Sequence, residues 1–273
     1  MGDGFPICSF FAKDVKSMEI YQHFREEEKP FIDQVLAWQS DVEMRFQRKL
    51  TDFLNPREQY IFNTITSQGE LVTGLFGGYG QTERKRAIIA PEYETLGNEE
   101  FQVVLLEADY PDKFITIEHR DVLGAFMSLG IRRDKIGDMN VRDGKAQIIA
   151  AEEISDYLRM NLNGIKKASV TFTEKPLQEF MENGEQWAEN DTTLSSLRLD
   201  ILVKEIYGMS RKKASMHIEG GLVKVNFRTV ESPSFLLETG DLISVRGKGR
   251  SKIKDIHGKT KKDKIKVTTA KLM

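Results

Sequence analysis

Residues 198–226, RLDILVKEIYGMSRKKASMHIEGGLVKVN, decide how the C-terminal third of this 273-residue chain is read. Leu199, Leu202, Val203 and Ile206 recur at helical spacing, so one face is apolar while Arg198, Lys204 and Glu205 look outward. Gly208 supplies the left-handed backbone on which helices commonly end. Ser210 is a good cap for a second short helix, whose first turn holds Arg211, Lys212 and Lys213. Three cations at the positive end of a helix dipole oppose it. A bound phosphate would relieve that conflict and meet the free backbone N–H groups. Residues 222–226 then alternate apolar and polar as a half-buried strand does, and Gly240-Asp241 turns the chain into a strand at Leu242–Arg246.

Two short helices with basic starts, a glycine turn and a small β ribbon together resemble the S4 RNA-binding domain. The resemblance runs through Arg198, Leu199, Asp200, Ser210, Arg211, Ala214, Ile218, Gly221, Val223, Val225, Asn226, Gly240, Asp241 and Arg246. It implies that Arg198, Arg211, Lys212, Lys213, Lys224 and Arg228 contact phosphates and sugars of a structured RNA. Ser210, Asn226, Arg246, Lys248 and Arg250 complete the expected RNA-binding set, with Asn226 expected to fix the strand turn rather than read a base. Lys248, Arg250, Lys252, Lys254 and the lysines of 259–266 are expected to form a flexible electrostatic arm.

Composition sets the frame around this stretch. The chain is 40% hydrophobic, enough for two or three domains. No apolar run approaches the roughly 20 residues that span a bilayer. A single cysteine, Cys8, excludes an intrachain disulfide and points to a reducing, cytoplasmic setting. The net charge of −2 hides a strong segregation: Thr193–Met273 carries 18 Lys+Arg against 8 Asp+Glu (+10), the remainder 22 against 34 (−12). That is the distribution of a protein whose one end meets a polyanion.

In chain order, residues 1–17 read as a disordered extension ahead of Met18. Helical patterns follow at about 19–28 and 30–48, the second with Phe31, Val35, Leu36, Trp38, Val42 and Phe46 inward. Asn55-Pro56 opens a helix to about Thr66. Gly74, Gly77, Gly78 and Gly80 match neither phosphate-loop fingerprint, so they read as kinks in a twisted hairpin. Strands at Phe101–Leu106, Ile136–Val141, Ala146–Ala150 and Ala168–Phe172 alternate with helices at Arg120–Leu129 and Ile154–Leu162, and Asp143-Gly144 makes the hairpin turn. This β-α-β-β-α-β order is the ferredoxin-like one shared by RNA-recognition motifs. Its central strands lack the aromatics that stack bases in that motif. The expected architecture is α+β: extension 1–17, helical region with hairpin 18–90, RNA-recognition-like domain 91–175, linker 176–192, S4 domain 193–250 and basic tail 251–273.

His119-Arg120-Asp121 has the letters of a kinase catalytic loop without the accompanying motifs. Read with Gly124, Gly130-Ile131-Arg132-Arg133 and Lys135-Ile136-Gly137-Asp138, Phe31 upstream and the S4 stretch downstream, it resembles the YlmH family of bacterial S4-domain proteins over Met18–Met273. The resemblance implies a non-enzymatic protein bound to structured RNA, rRNA and tRNA, on the large ribosomal subunit. The associated role is quality control of stalled peptidyl-tRNA, and the family's genes neighbour those of cell division. No catalytic residue, metal ligand or cofactor is expected. Arg198-Leu199-Asp200 mimics a pseudouridine-synthase motif and Gly208–Lys212 a synthetase signature, but both lie within S4. The four histidines are scattered. An RNA-modifying enzyme with an unread active site and a cell-division adaptor are the alternatives. No membrane contact is expected; protein partners stay open, the acidic N-terminal half being expected to face away from RNA or to meet a protein.

Overall fold

The computed structural model describes residues 21–22, 24–67, 69–182 and 186–273, so the expected extension at 1–17 lies outside it. The chain forms two units, Met1–Glu182 and Asn183–Met273.

In the first unit, α1 (Lys29–Arg45) buries Ile32, Val35 and Val42. Within the helix expected at 19–28, Tyr21 is helical and Glu26–Glu28 form a separate 3-10 turn leading into α1. Phe46 adopts φ 55, which ends α1, and the ring is 67% exposed rather than inward. The next six residues form β1 (Lys49–Leu54), a strand too short and too polar at alternate positions to register as a periodic pattern. Asn55 caps α2 (Pro56–Thr66): its Oδ1 accepts from Arg57 N–H and Glu58 N–H, while Glu58 accepts from Asn55 N–H at 2.7 Å. That reciprocal cap with proline at the first position fixes where the helix starts. β2 (Val72–Phe76) and β3 (Lys85–Ala90) form the hairpin, β3 pairing β1 on its other edge. The glycine-rich link is a steric necessity: a Cβ at Gly77 would stand 2.4 Å from the Arg84 carbonyl oxygen.

A second, antiparallel sheet follows, built from β4 (Val103–Asp109), β5 (Ile136–Arg142), β6 (Lys145–Ala151) and β9 (Thr173–Lys175). Between them lie α3 (His119–Ser128), α4 (Ser155–Asn161) and a two-residue ladder of β7 (Gly164–Ile165) with β8 (Ala168–Ser169). The strand order β5-β6-β4-β9 is ferredoxin-like, as the element order requires. The last strand is shifted from the expected Ala168–Phe172: Val170 and Phe172 drop into the core under the helices, and only Thr173–Lys175 pairs with β4. Asp121, beside the kinase-like letters, accepts from Glu118 N–H at 2.8 Å and pairs with Lys166 at 2.7 Å. Its role is to close the first turn of α3.

The second unit corrects two expectations. Its six strands run β10 (Trp187–Leu194), β15 (Ile265–Leu272), β14 (Gly249–Lys259), β13 (Leu242–Val245), β11 (Val223–Val225) and β12 (Arg228–Thr229) across one sheet. The expected flexible arm and basic tail at 251–273 are therefore the paired strands β14 and β15, and the expected linker at 176–192 contributes β10. The physical reason is visible once the strands pair: Ser251, Ile253, Val267 and Thr269 point into the core while lysines fill other positions. A high lysine count hid that alternation. Against one side of the sheet pack α5 (Leu199–Tyr207) and α6 (Arg211–Glu219), through Leu199, Leu202, Val203, Ala214 and Ile218. Gly208, at φ 60, ends α5 as its sequence position requires.

Candidate nucleic-acid interface

The start of α6 is organised by a carboxylate on α5. Asp200 is 2% exposed and accepts from Arg198 Nε (3.1 Å) and Nη2 (3.2 Å) and from Arg211 Nε (2.8 Å). Burial alone would push its carboxyl up. The two guanidinium groups outweigh that effect and hold it below the usual aspartate value. Arg198 and Arg211 are thus oriented rather than merely nearby, and they line an open pocket of about 470 Å³ with Lys212 and Ser215. Arg211 spends only Nε on the protein among the described residues, which leaves its terminal amino groups for a ligand. Ser210 Oγ accepts from Lys213 N–H at 3.2 Å, so the expected cap is present and takes up that donor itself. Asp200 is the organiser that the charge pattern did not single out. Its signal was an acid two residues after one arginine and eleven before another.

Strand register divides the remaining cations between two faces. Lys224 lies opposite Ser244, and Ser244 opposite Arg250, so Lys224 and Arg250 share a side of the sheet. Arg228 lies opposite the buried Val225 and therefore points to the helix side. Arg246 and Lys248 occupy the exposed β13–β14 turn, with Lys248 N–H donating to the Val245 carbonyl at 2.9 Å. Among the described residues, Lys212, Lys213, Lys224, Arg246 and Lys248 have no ion-pair partner. Asn226 is consumed by the fold: its Nδ2 donates to Asp241 at 2.7 Å and its Oδ1 accepts from Leu242 N–H at 3.0 Å. It locks β11 to β13, and its side-chain amide is spent inside the protein.

The first unit closes the face on which an RNA-recognition motif would stack bases. Opposite α3 and α4, its sheet carries Leu105, Ile149 and Ala151, covered by Phe53 of β1 and by Phe180. Phe180 stacks on Tyr79 with ring centroids 4.7 Å apart. The polar positions are equally occupied: Gln147 donates to Glu107 (2.7 Å) and the Glu179 carbonyl (3.0 Å) and accepts from Met181 N–H (2.7 Å). Asn140 donates to the Met181 carbonyl. Asp138 accepts from Glu83 N–H (2.7 Å) and Arg84 N–H (3.0 Å), tying the glycine hairpin to β5. Burial pushes its carboxyl up, and burial likewise lowers neighbouring Arg133 to about 10. This charged cluster is fastened inward. Ferredoxin-like topology here serves intramolecular packing.

Three family models match the chain: "YlmH, N-terminal" over residues 27–94, "Putative RNA-binding domain in YlmH" over 97–179, and the S4 domain over 197–243. The chain is 41% identical over 250 residues to ribosome-associated protein quality control protein P2 of Bacillus subtilis, covering 92% of this chain and 97% of that protein. It belongs to the YlmH family. This YlmH-family chain also resembles small ribosomal subunit protein uS4. For that of Lachnospira eligens, the identity is 31% over 109 residues, 37% of this chain and 55% of that protein. A solved structure, cell division protein ylmH from Streptococcus pneumoniae, matches with a TM-score of 0.53 and 29% identity, over 59% of this chain and 99% of that one. The α+β class and the C-terminal S4 domain of this YlmH-family member agree with those matches.

Proposed function

We propose that this protein is a non-enzymatic factor that docks on structured RNA through its S4 domain. The carrying observation is the Asp200-organised pair Arg198 and Arg211 beside Lys212 at the start of α6. Phosphate oxygens entering there would meet fixed guanidinium donors, the lysine charge and the first N–H groups of the helix. Such contacts position a protein by backbone shape and charge rather than by base sequence, which suits A-form RNA. The +10 balance of Thr193–Met273 supplies the long-range attraction, and the acidic remainder disfavours binding elsewhere on the chain.

The RNA we propose is ribosomal RNA and tRNA of the large subunit, in the handling of stalled peptidyl-tRNA, in the cytoplasm. The name of the Bacillus subtilis relative, ribosome-associated protein quality control protein P2, supports a role at the ribosome, and the likeness to the small-subunit protein uS4 supports ribosomal RNA binding in general. Ultraviolet crosslinking of the full chain in cells, followed by sequencing of the attached RNA, tests it. Crosslinks concentrated in large-subunit rRNA and tRNA are expected. Crosslinks spread over messenger RNA, or none above background, would overturn it.

A further inference from the structure

The side of the second unit's sheet opposite α5 and α6 carries its own chemistry. Lys224, Ser244 and Arg250 form one cross-strand row there, and Leu242 lies opposite Lys252. Two aromatic rings accompany these cations. The Arg250 guanidinium carbon is 5.9 Å from the Phe227 ring centroid, and Lys252 Nζ is 4.3 Å from that of Trp187. Arg250 and Lys252 are two positions apart on β14, roughly 6.8 Å along the same face. The Lys224–Ser244–Arg250 row holds no carboxylate, whereas the Leu242–Lys252 row runs on through Ala270 to Glu189, whose charge is taken up by Lys254.

Phe227 also stands where its backbone disfavours it. The two-residue turn between β11 and β12 has φ 48 at Asn226 and φ 68 at Phe227. Type I′ turns of this kind favour Asn-Gly, because a Cβ at positive φ is strained. Asn226 is explained by its bonds to Asp241 and Leu242, but the half-exposed Phe227 ring lies outside the core that the helices cover. A strained backbone that carries a half-exposed ring beside the Arg250 guanidinium is the kind of outlier from which a functional role is inferred.

We propose that this face is a stacking platform for an unpaired RNA segment, with bases on Phe227 and Trp187 and phosphates on Lys224, Arg250 and Lys252. Rings interleaved with cations match a polyanion whose bases have π faces. The inference rests on the RNA-binding reading above and adds a second surface, with a different form of RNA, to it. The test titrates the full chain with a labelled oligoadenylate of about 12 nucleotides and, separately, with an RNA hairpin.

Phe227→Gly removes the ring and relaxes the turn. It is expected to weaken oligoadenylate binding about tenfold while hairpin affinity and thermal stability hold, and Phe227→Trp is expected to restore it. Equal oligoadenylate affinities for wild type and Phe227→Gly would overturn the proposal. So would a variant that loses stability and both RNAs together, because the ring would then be structural. Trp187 is one of two tryptophans, so in a Trp38→Phe background its fluorescence should be quenched by oligoadenylate; no quenching would remove it from the platform. Hairpin binding without oligoadenylate binding by wild type would overturn this inference alone. Binding of neither RNA would overturn the RNA-binding reading as well.

Discussion

Replacing Asp200 by asparagine separates charge from geometry at the proposed interface. The change keeps the shape of a 2%-exposed side chain and removes the charge that two arginines share. Arg198 is 35% exposed and Arg211 57%, so solvent screens both pairs and each is set at about 1 kcal/mol. Relief of the burial penalty on the carboxylate returns part of that sum. The expected net loss is about 1.4 kcal/mol, which corresponds to a tenfold rise in exchange-competent openings of α5 and α6. Hydrogen exchange on peptides covering residues 198–220 reads this directly in the full chain. The folded Asp200 carboxyl lies below its ordinary value of 3.8, so its contribution is complete above that pH and is lost as pH falls through the folded value. Wild type and variant should accordingly converge in acid. RNA affinity supplies the sharper arm. The variant carries one more net positive charge, so a purely electrostatic surface would bind RNA more tightly. Preorganised guanidinium groups predict weaker binding. Unchanged protection together with tighter binding would refute the role assigned to Asp200.

Other consequences follow from the same geometry. Lys212→Ala should weaken binding to different structured RNAs alike and reduce the salt slope of log affinity by about 0.7–0.9; an unchanged slope would remove Lys212 from the phosphate contacts. Asn226→Ala breaks the 2.7 Å and 3.0 Å bonds between β11 and β13 and should destabilise the second unit by about 1–2 kcal/mol, measured by urea unfolding, without changing which RNA is preferred. A shift in preference would make Asn226 a base reader. Phe180→Ala opens a cavity beneath Tyr79 and should lower the stability of the first unit by about 3 kcal/mol, again read in urea; an unaltered midpoint would show that the sheet face is not closed by this ring.

Much of this molecule was legible because its signals are local. Gly208, Ser210 and Asn55 act within one turn of their own positions, and the structure uses all three as helix-end residues. The β-α-β-β-α-β order likewise fixed the middle sheet, since few topologies satisfy it. What escaped was non-local. β14 and β15 are strands only because each pairs with the other and with a neighbour, and lysine side chains on their outer positions read as a solvated tail. Phe180 falls in the stretch expected to be a linker, and its packing role shows only when the fold lays it on Tyr79. At the interface, the cations were visible as composition, but their division between two faces depends on strand register. Asp200 gained its role from a contact spanning eleven residues.

The central claim is that the Arg198–Arg211–Lys212 surface carries this protein onto ribosomal particles. Density-gradient sedimentation of cell extract at low salt, comparing wild type with the Arg211→Glu, Lys212→Glu double variant, tests it most directly. Wild type is predicted to travel with the large subunit and the variant to stay at the top of the gradient, with α6 still protected from hydrogen exchange. Co-sedimentation of a folded double variant at the wild-type level would contradict the account.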